Sequence, residues 1–339
     1  MKKKLITLFQ YVFFLGLGVF LVWWSARSID EQGWTDIKES LRYAHYWLLI
    51  PVTGILFLSH WLRALRWKIL MEPLGHKPKD SNTFFAVMIG YLANLAVPRL
   101  GEVLKCTILA RYEKVPVNKL VGTMIAERAI DVISLIIVFL FAIFTQTDII
   151  GEYTKQLISR GASGEGKNIQ NALIIFGSAF IALSLGTWFI LKKFSHITII
   201  HNFKKLLKGV LQGLTSIRYI RHKRSFFIYS VTIWLLYYAG TYIGFYALDE
   251  TKIFGFKEAL SVLAFGSVGM ILTQGGIGAY QLLVQKTMGL YGLNENIGWA
   301  YGWIMWVVQT GVIILFGLIS FGLLPYFNKK IHAPSGQDH

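Results

Sequence analysis

The sequence predicts an all-α, polytopic integral membrane protein, and three observations carry that prediction. Mean hydropathy is +0.51, with 54% hydrophobic residues over 339 positions, above the apolar share of ordinary soluble domains. Several apolar runs reach the roughly 20 residues that a helix needs to cross the hydrocarbon core. Two further apolar stretches are each cut by a short break rich in Gly, or in Pro, Gly and charge, a pattern that membrane-embedded broken helices share.

The full spans are expected at residues 5–26, 46–67, 120–144, 172–191, 226–248 and 299–324. The first follows Met1 to Lys4 as a signal peptide would, but it is long and aromatic and is followed by Arg27 rather than a small-residue cleavage site. It reads as a retained helix.

Between the second and third full spans, residues 84–97 and 103–110 flank Pro98-Arg99-Leu100-Gly101-Glu102. Fourteen helical residues rise only about 21 Å against a core of about 30 Å, so neither arm crosses alone. A re-entrant hairpin is expected, its irregular backbone buried in protein or facing a water-filled cavity. Residues 259–273 and 279–290 flank Gln274-Gly275-Gly276-Ile277-Gly278 in the same way. The expected architecture is therefore six full transmembrane helices plus two oppositely oriented re-entrant hairpins, eight membrane segments with an inverted-repeat-like arrangement. Hydropathy and break position carry that symmetry, since no residue-level repeat is found between the halves. Residues 1–328 form one transmembrane domain and 329–339 a short polar tail.

Charge sets the orientation. The formal net charge is +16, but the basic residues follow loops rather than a nucleic-acid-binding face, and no nucleic-acid partner is expected. With both termini cytoplasmic, the inner segments 1–4, 63–83, 111–119, 192–225 and 325–339 hold 22 Lys and Arg, against 8 in the outer loops. Threading residues 84–110 as one crossing would put segment 192–225, with nine basic and no acidic residues, outside. The expected location is the inner, or plasma, membrane. Segment 192–225 also carries apolar residues at helical spacing, and reads either as an interfacial amphipathic helix or as an ordinary inner loop. Trp23, Trp24, Trp47, Trp67 and Trp299 lie near span ends, as an aromatic belt predicts.

Cys106 is the only cysteine, which excludes an intramolecular disulfide. No Walker-type loop, His-Glu-x-x-His pair or Gly-x-Ser-x-Gly elbow occurs, so ATP-driven, zinc and hydrolytic chemistry lack an anchor. No catalytic residues, metal or cofactor are expected.

The candidate site residues are the ionisable and irregular positions at membrane depth. Glu127, Arg128 and Asp131 lie within an apolar stretch, where each charge costs roughly 2.5 to 3.5 kcal/mol unless it faces a cavity or partner. Their spacing suggests one helix face presenting acid, base and acid. They contact substrate, relay protons or hold helices together as a buried ion network. Asn94, Arg99, Glu102 and Lys105 surround the first break. Arg99 and Lys105 either bind an anionic group such as a lipid phosphate, with Glu102 balancing them, or snorkel from a shallow turn. At the second break Gly275, Gly276 and Gly278 either expose amides to an anion or simply allow close packing, and Gln281 adds a neutral polar contact.

The series 94–102 (Asn-Leu-Ala-Val-Pro-Arg-Leu-Gly-Glu), 126–131 (Ala-Glu-Arg-Ala-Ile-Asp) and 275–278 (Gly-Gly-Ile-Gly) resembles the lysylphosphatidylglycerol synthase transmembrane, or flippase-like, family. The motifs occur in that family's order, and the Glu-Arg-x-x-Asp element is the most specific. The resemblance implies movement of an anionic phospholipid or a polyprenyl-phosphate-linked lipid between leaflets. Membrane lipids are the implied partners, with a second copy of the chain or a lipid-synthesis enzyme as further ones. In that family a Pro often precedes the second glycine run and a Glu often follows it, whereas this chain has Gln274 and Gln281. Nothing after Leu324 is long enough for the soluble domain of the fused synthases, so aminoacyl transfer is not expected. The alternatives are an ion-coupled transporter of a small soluble anion, a membrane-embedded lipid-modifying enzyme using Glu127 or Asp131 as general base, and a scaffold recruiting a partner through 192–225.

Overall fold

Long apolar helices with no polar face must cover their backbone completely, and the fold does this by pairing helices around one central pair. A computed structural model describes residues 2–97, 99–146 and 220–329. The expected span 172–191, most of the basic segment 192–225 and the tail from 330 onward lie outside the described residues. All regular structure among the described residues is helical, in ten α-helices joined by turns and short 3₁₀ segments.

Helix α1 (Lys2–Arg27) leads to α2 (Glu31–Arg42). α2 is an addition to the sequence reading, which left this stretch as loop. It is short and charged, but Asp30 caps it by accepting from the Gly33 amide at 2.8 Å, and Ile37 is buried at 2% exposure. Trp34 meets Trp299 edge to face at 5.6 Å. Its stability comes from that docking rather than from hydropathy.

Helix α3 (Leu49–Met71) runs against α7 (Lys223–Gly244), an extensively packed pair among the described residues. Three described segments are long and apolar enough to cross a membrane: Tyr46–Leu74, Lys223–Ala247 and Glu295–Phe327. The last contains α10 (Glu295–Phe327), which lies against both broken segments. Helix α6 (Val117–Phe144) is as long, but carries Glu127, Arg128 and Asp131.

The broken segments are two helical hairpins. The first pairs α4 (Asp80–Ala96) with α5 (Leu100–Glu113), and the second pairs α8 (Phe256–Leu272) with α9 (Ala279–Leu290). At 1.5 Å per residue the arms rise only about 18 to 26 Å, short of a bilayer core of about 30 Å. In the first hairpin the arms touch backbone to backbone: a Cβ on Gly101 would lie 1.7 Å from the Gly90 carbonyl oxygen. At the second break Gly275, Gly276 and Gly278 all take positive φ, which only glycine adopts without strain.

Among the described residues the interior holds a small apolar cluster of Ala142, Leu260 and Ala264 and two large ones, with α3 contributing to each of the two. One gathers Trp67, Met71, Phe84, Met88, Leu109 and Leu120. The other gathers Val52, Phe245, Val284, Tyr301 and Met305. Between them the two hairpin tips meet, for the Gln274 side-chain amide donates to the carbonyl oxygen of Asn94 and reaches that of Leu95 at 3.4 Å. Trp306 donates its indole N–H to the Gly275 carbonyl at 2.8 Å, so α10 braces the junction.

Candidate functional site

On an α-helix, residues four apart share a face while a neighbour is turned by about 100°. Glu127 and Asp131 accordingly point together from α6 towards α3, and Arg128 points elsewhere. The single face of acid, base and acid expected from the sequence is therefore split in two.

The acids meet cations that the sequence reading counted as inner-loop charges. Arg66 donates to Asp131 at 2.6 Å and Arg63 donates to the other oxygen of the same carboxylate at 2.9 Å. Arg63 also donates to the Tyr237 hydroxyl at 3.1 Å, which ties α7 into the network. Glu127 accepts from Lys105 of α5 at 2.7 Å and lies 3.8 Å from Arg66. The Lys105 ammonium stands 4.4 Å over the Trp67 ring, a cation–π contact that suits a dry site, and the Trp67 indole is fixed on Thr123 at 3.0 Å. The His60 ring packs on Tyr91 at 5.2 Å, and the Arg63 guanidinium lies over the same ring at 5.9 Å.

Arg63 and Arg66 were readable as a pair. They stand three apart within the stretch 46–67 taken as a span, and they complement acids four apart on another helix. Hydropathy placed them at a span end; burial between α6 and α7 places them inside.

Burial falls along the network. The side chains of Arg66, Glu127 and Lys105 are sealed at 0%, 1% and 3% exposure, whereas Arg63 and Asp131 reach 10% and 15%. Arg128 and Glu102 form a separate pair at 3.2 Å with 38% and 30% exposure. Arg128, itself partly buried, shares a stripe of α6 with Val121, Ile125, Val132 and Ile136, and these four are exposed. In charge, four cations (Arg63, Arg66, Lys105, Arg128) face three carboxylates (Glu102, Glu127, Asp131), leaving one positive charge in excess.

The remaining candidates at the breaks have mainly local contacts. Asn94 accepts from the Gly101 amide at 2.8 Å and so closes the first hairpin. Arg99 takes φ 65° at the N-cap of α5 and its side chain is exposed. Gln281 accepts from the Gly278 amide at 2.8 Å, capping α9 on itself. A Cβ on Gly278 would lie 2.3 Å from the Gly18 carbonyl oxygen of α1, and one on Gly276 would lie 2.5 Å from the Met270 sulfur, so close packing accounts for both glycines. Among the described residues no group of three or more His, Cys, Asp or Glu side chains is arranged to hold a metal ion.

A family model described as the lysylphosphatidylglycerol synthase TM region matches residues 10–317. The chain belongs to that family. No curated protein and no solved structure matches it. The match covers the whole charged network, both hairpins, two of the apolar spans and the third as far as residue 317, as expected of a multi-pass membrane protein of this family.

Proposed function

We propose that this protein translocates a lipid with an anionic head group between leaflets, with the phosphate passing through the charged network while the acyl chains stay in the bilayer. One observation carries the reading: Arg128, partly exposed, lies along an exposed apolar stripe of α6 and is paired with Glu102, which is 30% exposed. A cation on a lipid-facing stripe offers a phosphate lateral access. A transporter for a soluble anion would be better served by a site closed to the side.

In this reading the head group exchanges with Glu102 for Arg128, guanidinium being suited to bidentate phosphate contact. Exposed Arg99 at the hairpin tip attracts the phosphate, and the excess positive charge of Arg63, Arg66 and Lys105 draws it inward. Glu127 and Asp131 hold those cations in place. Both carboxylates are already engaged by cations, which favours a charge-balancing role over that of a general base, and we read the chain as a transporter rather than an enzyme. The two hairpins enter the membrane from opposite sides, alongside six full spans with both termini cytoplasmic in a plasma membrane.

The test is leaflet exchange of labelled anionic, zwitterionic and polyprenyl-phosphate lipids in proteoliposomes, comparing the wild type with Arg128→Gln. Anionic lipid exchange that fails in the folded variant is expected. Equal exchange by both would refute the assignment.

A further inference from the structure

Two spans end side by side at the opposite end of the molecule from Lys77 and Lys79. The segment before α3 is joined to the end of α7 where the His45 amide donates to the Ala247 carbonyl at 2.8 Å. A cleft of about 350 Å³ opens there, lined by His45, Trp47, Leu48, Tyr246 and Lys252. Trp47 in its lining is exposed, as are Tyr43 and Tyr46 in the same connecting segment, which is the aromatic signature of the level at which lipid head groups lie.

The charged and titratable groups at this cleft are Lys252 and His45 in its lining and Asp249, which bonds to both from beside it. Lys252 donates to Asp249. His45 Nε2 lies 3.1 Å from the Asp249 carboxylate and 3.0 Å from the Lys252 ammonium. A neutral Nε2 either donates to the carboxylate or accepts from the ammonium, so one of these two contacts is always incomplete. The next acid, Glu250, accepts from the Ser40 hydroxyl and keeps its negative charge beside Asp249, which further disfavours a purely anionic occupant.

We propose that this cleft is a binding site for a zwitterionic phospholipid head group, one carrying both a phosphate and a primary ammonium. The charge pattern selects that class. A purely anionic head group would meet Asp249 as well as Lys252, and a purely cationic one would meet Lys252 as well as Asp249. A zwitterion replaces the internal pair by two external ones, with the phosphate on Lys252 and His45 and the ammonium on Asp249. Trp47 and Tyr246 supply aromatic faces for the ammonium. The internal pair is solvent-exposed, with 37% and 62% of the two side chains accessible, and exposed ion pairs are weakly held, so exchange is easy. The two ends of the cleft, span termini and surrounding apolar side chains, place the acyl chains along α3 and α7. This site is separate from the Arg128 network and does not depend on how that network functions.

The experiment is native mass spectrometry of the full chain released from nanodiscs containing equal amounts of phosphatidylethanolamine and phosphatidylglycerol. Retention of phosphatidylethanolamine over phosphatidylglycerol is expected, falling by about fivefold in Lys252→Met and in Asp249→Asn, a loss of the size an exposed charge contact gives. Trp47→Leu should also weaken it, while Lys77→Met at the other end should leave it unchanged. Both charged residues are exposed, and unaltered thermal unfolding of the variants would show that they fold. Equal retention of the two lipids, unchanged retention in both charge variants, or displacement by millimolar inorganic phosphate alone would overturn the proposal, the last because a site satisfied by phosphate does not read the ammonium. Failure of lipid exchange in Arg128→Gln would leave this result untouched.

Discussion

The side-chain amide of Gln274 donates to the main-chain carbonyl of Asn94, 180 positions earlier, and so joins the tips of the two broken hairpins. The last carbonyls of a helix have no partner within it. Asn94 and Leu95 lie in the final turn of α4, and Gln274 supplies the missing donor. A Pro at position 274 would have no such donor, so the polar residue found here is matched to the tip it faces.

That junction yields a first prediction. Gln274→Ala should cost about 0.5 to 1.5 kcal/mol, the net worth of one hydrogen bond, read as a lowered midpoint of unfolding in detergent. If transport requires the tips to part, a disulfide between cysteines placed at 94 and 274, with Cys106 replaced, should stop lipid exchange and reduction should restore it. Full exchange in the cross-linked protein would show that the tips stay together throughout the cycle.

The network separates stability from function. Removing one partner of a buried ion pair leaves an uncompensated charge, at a cost of about 3 to 5 kcal/mol. Arg66→Leu removes one of the two arginines on Asp131 and leaves Arg63 in place, so it should cost less than that range, whereas adding Asp131→Leu leaves Arg63 without its acid and should deepen the loss. Arg128 and Glu102 are about one-third exposed, so Glu102→Gln should cost about 1 kcal/mol or less. Equilibrium unfolding of the three variants checks this, and recovery in the double variant would mean that Arg63 does not depend on Asp131.

Much of this was legible in the sequence, and the exceptions have a common cause. Residues 279–290 were expected as an arm, and α9 spans Ala279–Leu290. A break over residues 98–102 was expected, and the observed one is shorter, with α4 ending at Ala96 and α5 starting at Leu100, so that Gly101 lies inside α5. The arm expected at 103–110 is longer, running Leu100–Glu113, because Glu102 and Lys105 continue the helix once each has a partner. Arg63 and Arg66 were misplaced for the same reason: hydropathy assigns a fixed penalty to a charge, whereas the real cost depends on what faces it. Helix α2 was missed because its charged sequence hides the few residues that dock.

Glycines give a contrast with opposite signs. Gly101→Ala would push a methyl against the Gly90 carbonyl, so the arms of the first hairpin must separate, with a loss of at least about 1 to 3 kcal/mol. Gly54 in α3 and Gly122 in α6 have nothing within 4 Å of an added Cβ. Alanine there should stabilise by up to about 1 kcal/mol, since glycine is the poorer helix former. Thermal unfolding of the three variants decides it, and a stable Gly101→Ala would mean that the hairpin arms are more widely spaced than the contact implies.

The last prediction concerns acid. The Lys252 and His45 side chains that bond to Asp249 hold its carboxyl below the usual carboxylate range. A depressed folded-state value means that the contribution to stability is complete above the unfolded value of about 3.9 and is lost as pH falls through the lower folded value. Carboxyl-carbon NMR of labelled aspartate should therefore show Asp249 titrating below about 3.9, and Lys252→Ala should raise its midpoint towards that figure. A midpoint unaffected by Lys252→Ala would mean that the ammonium does not sit on the carboxylate in solution, and the charge pattern assigned to the cleft would lose its anion–cation pair.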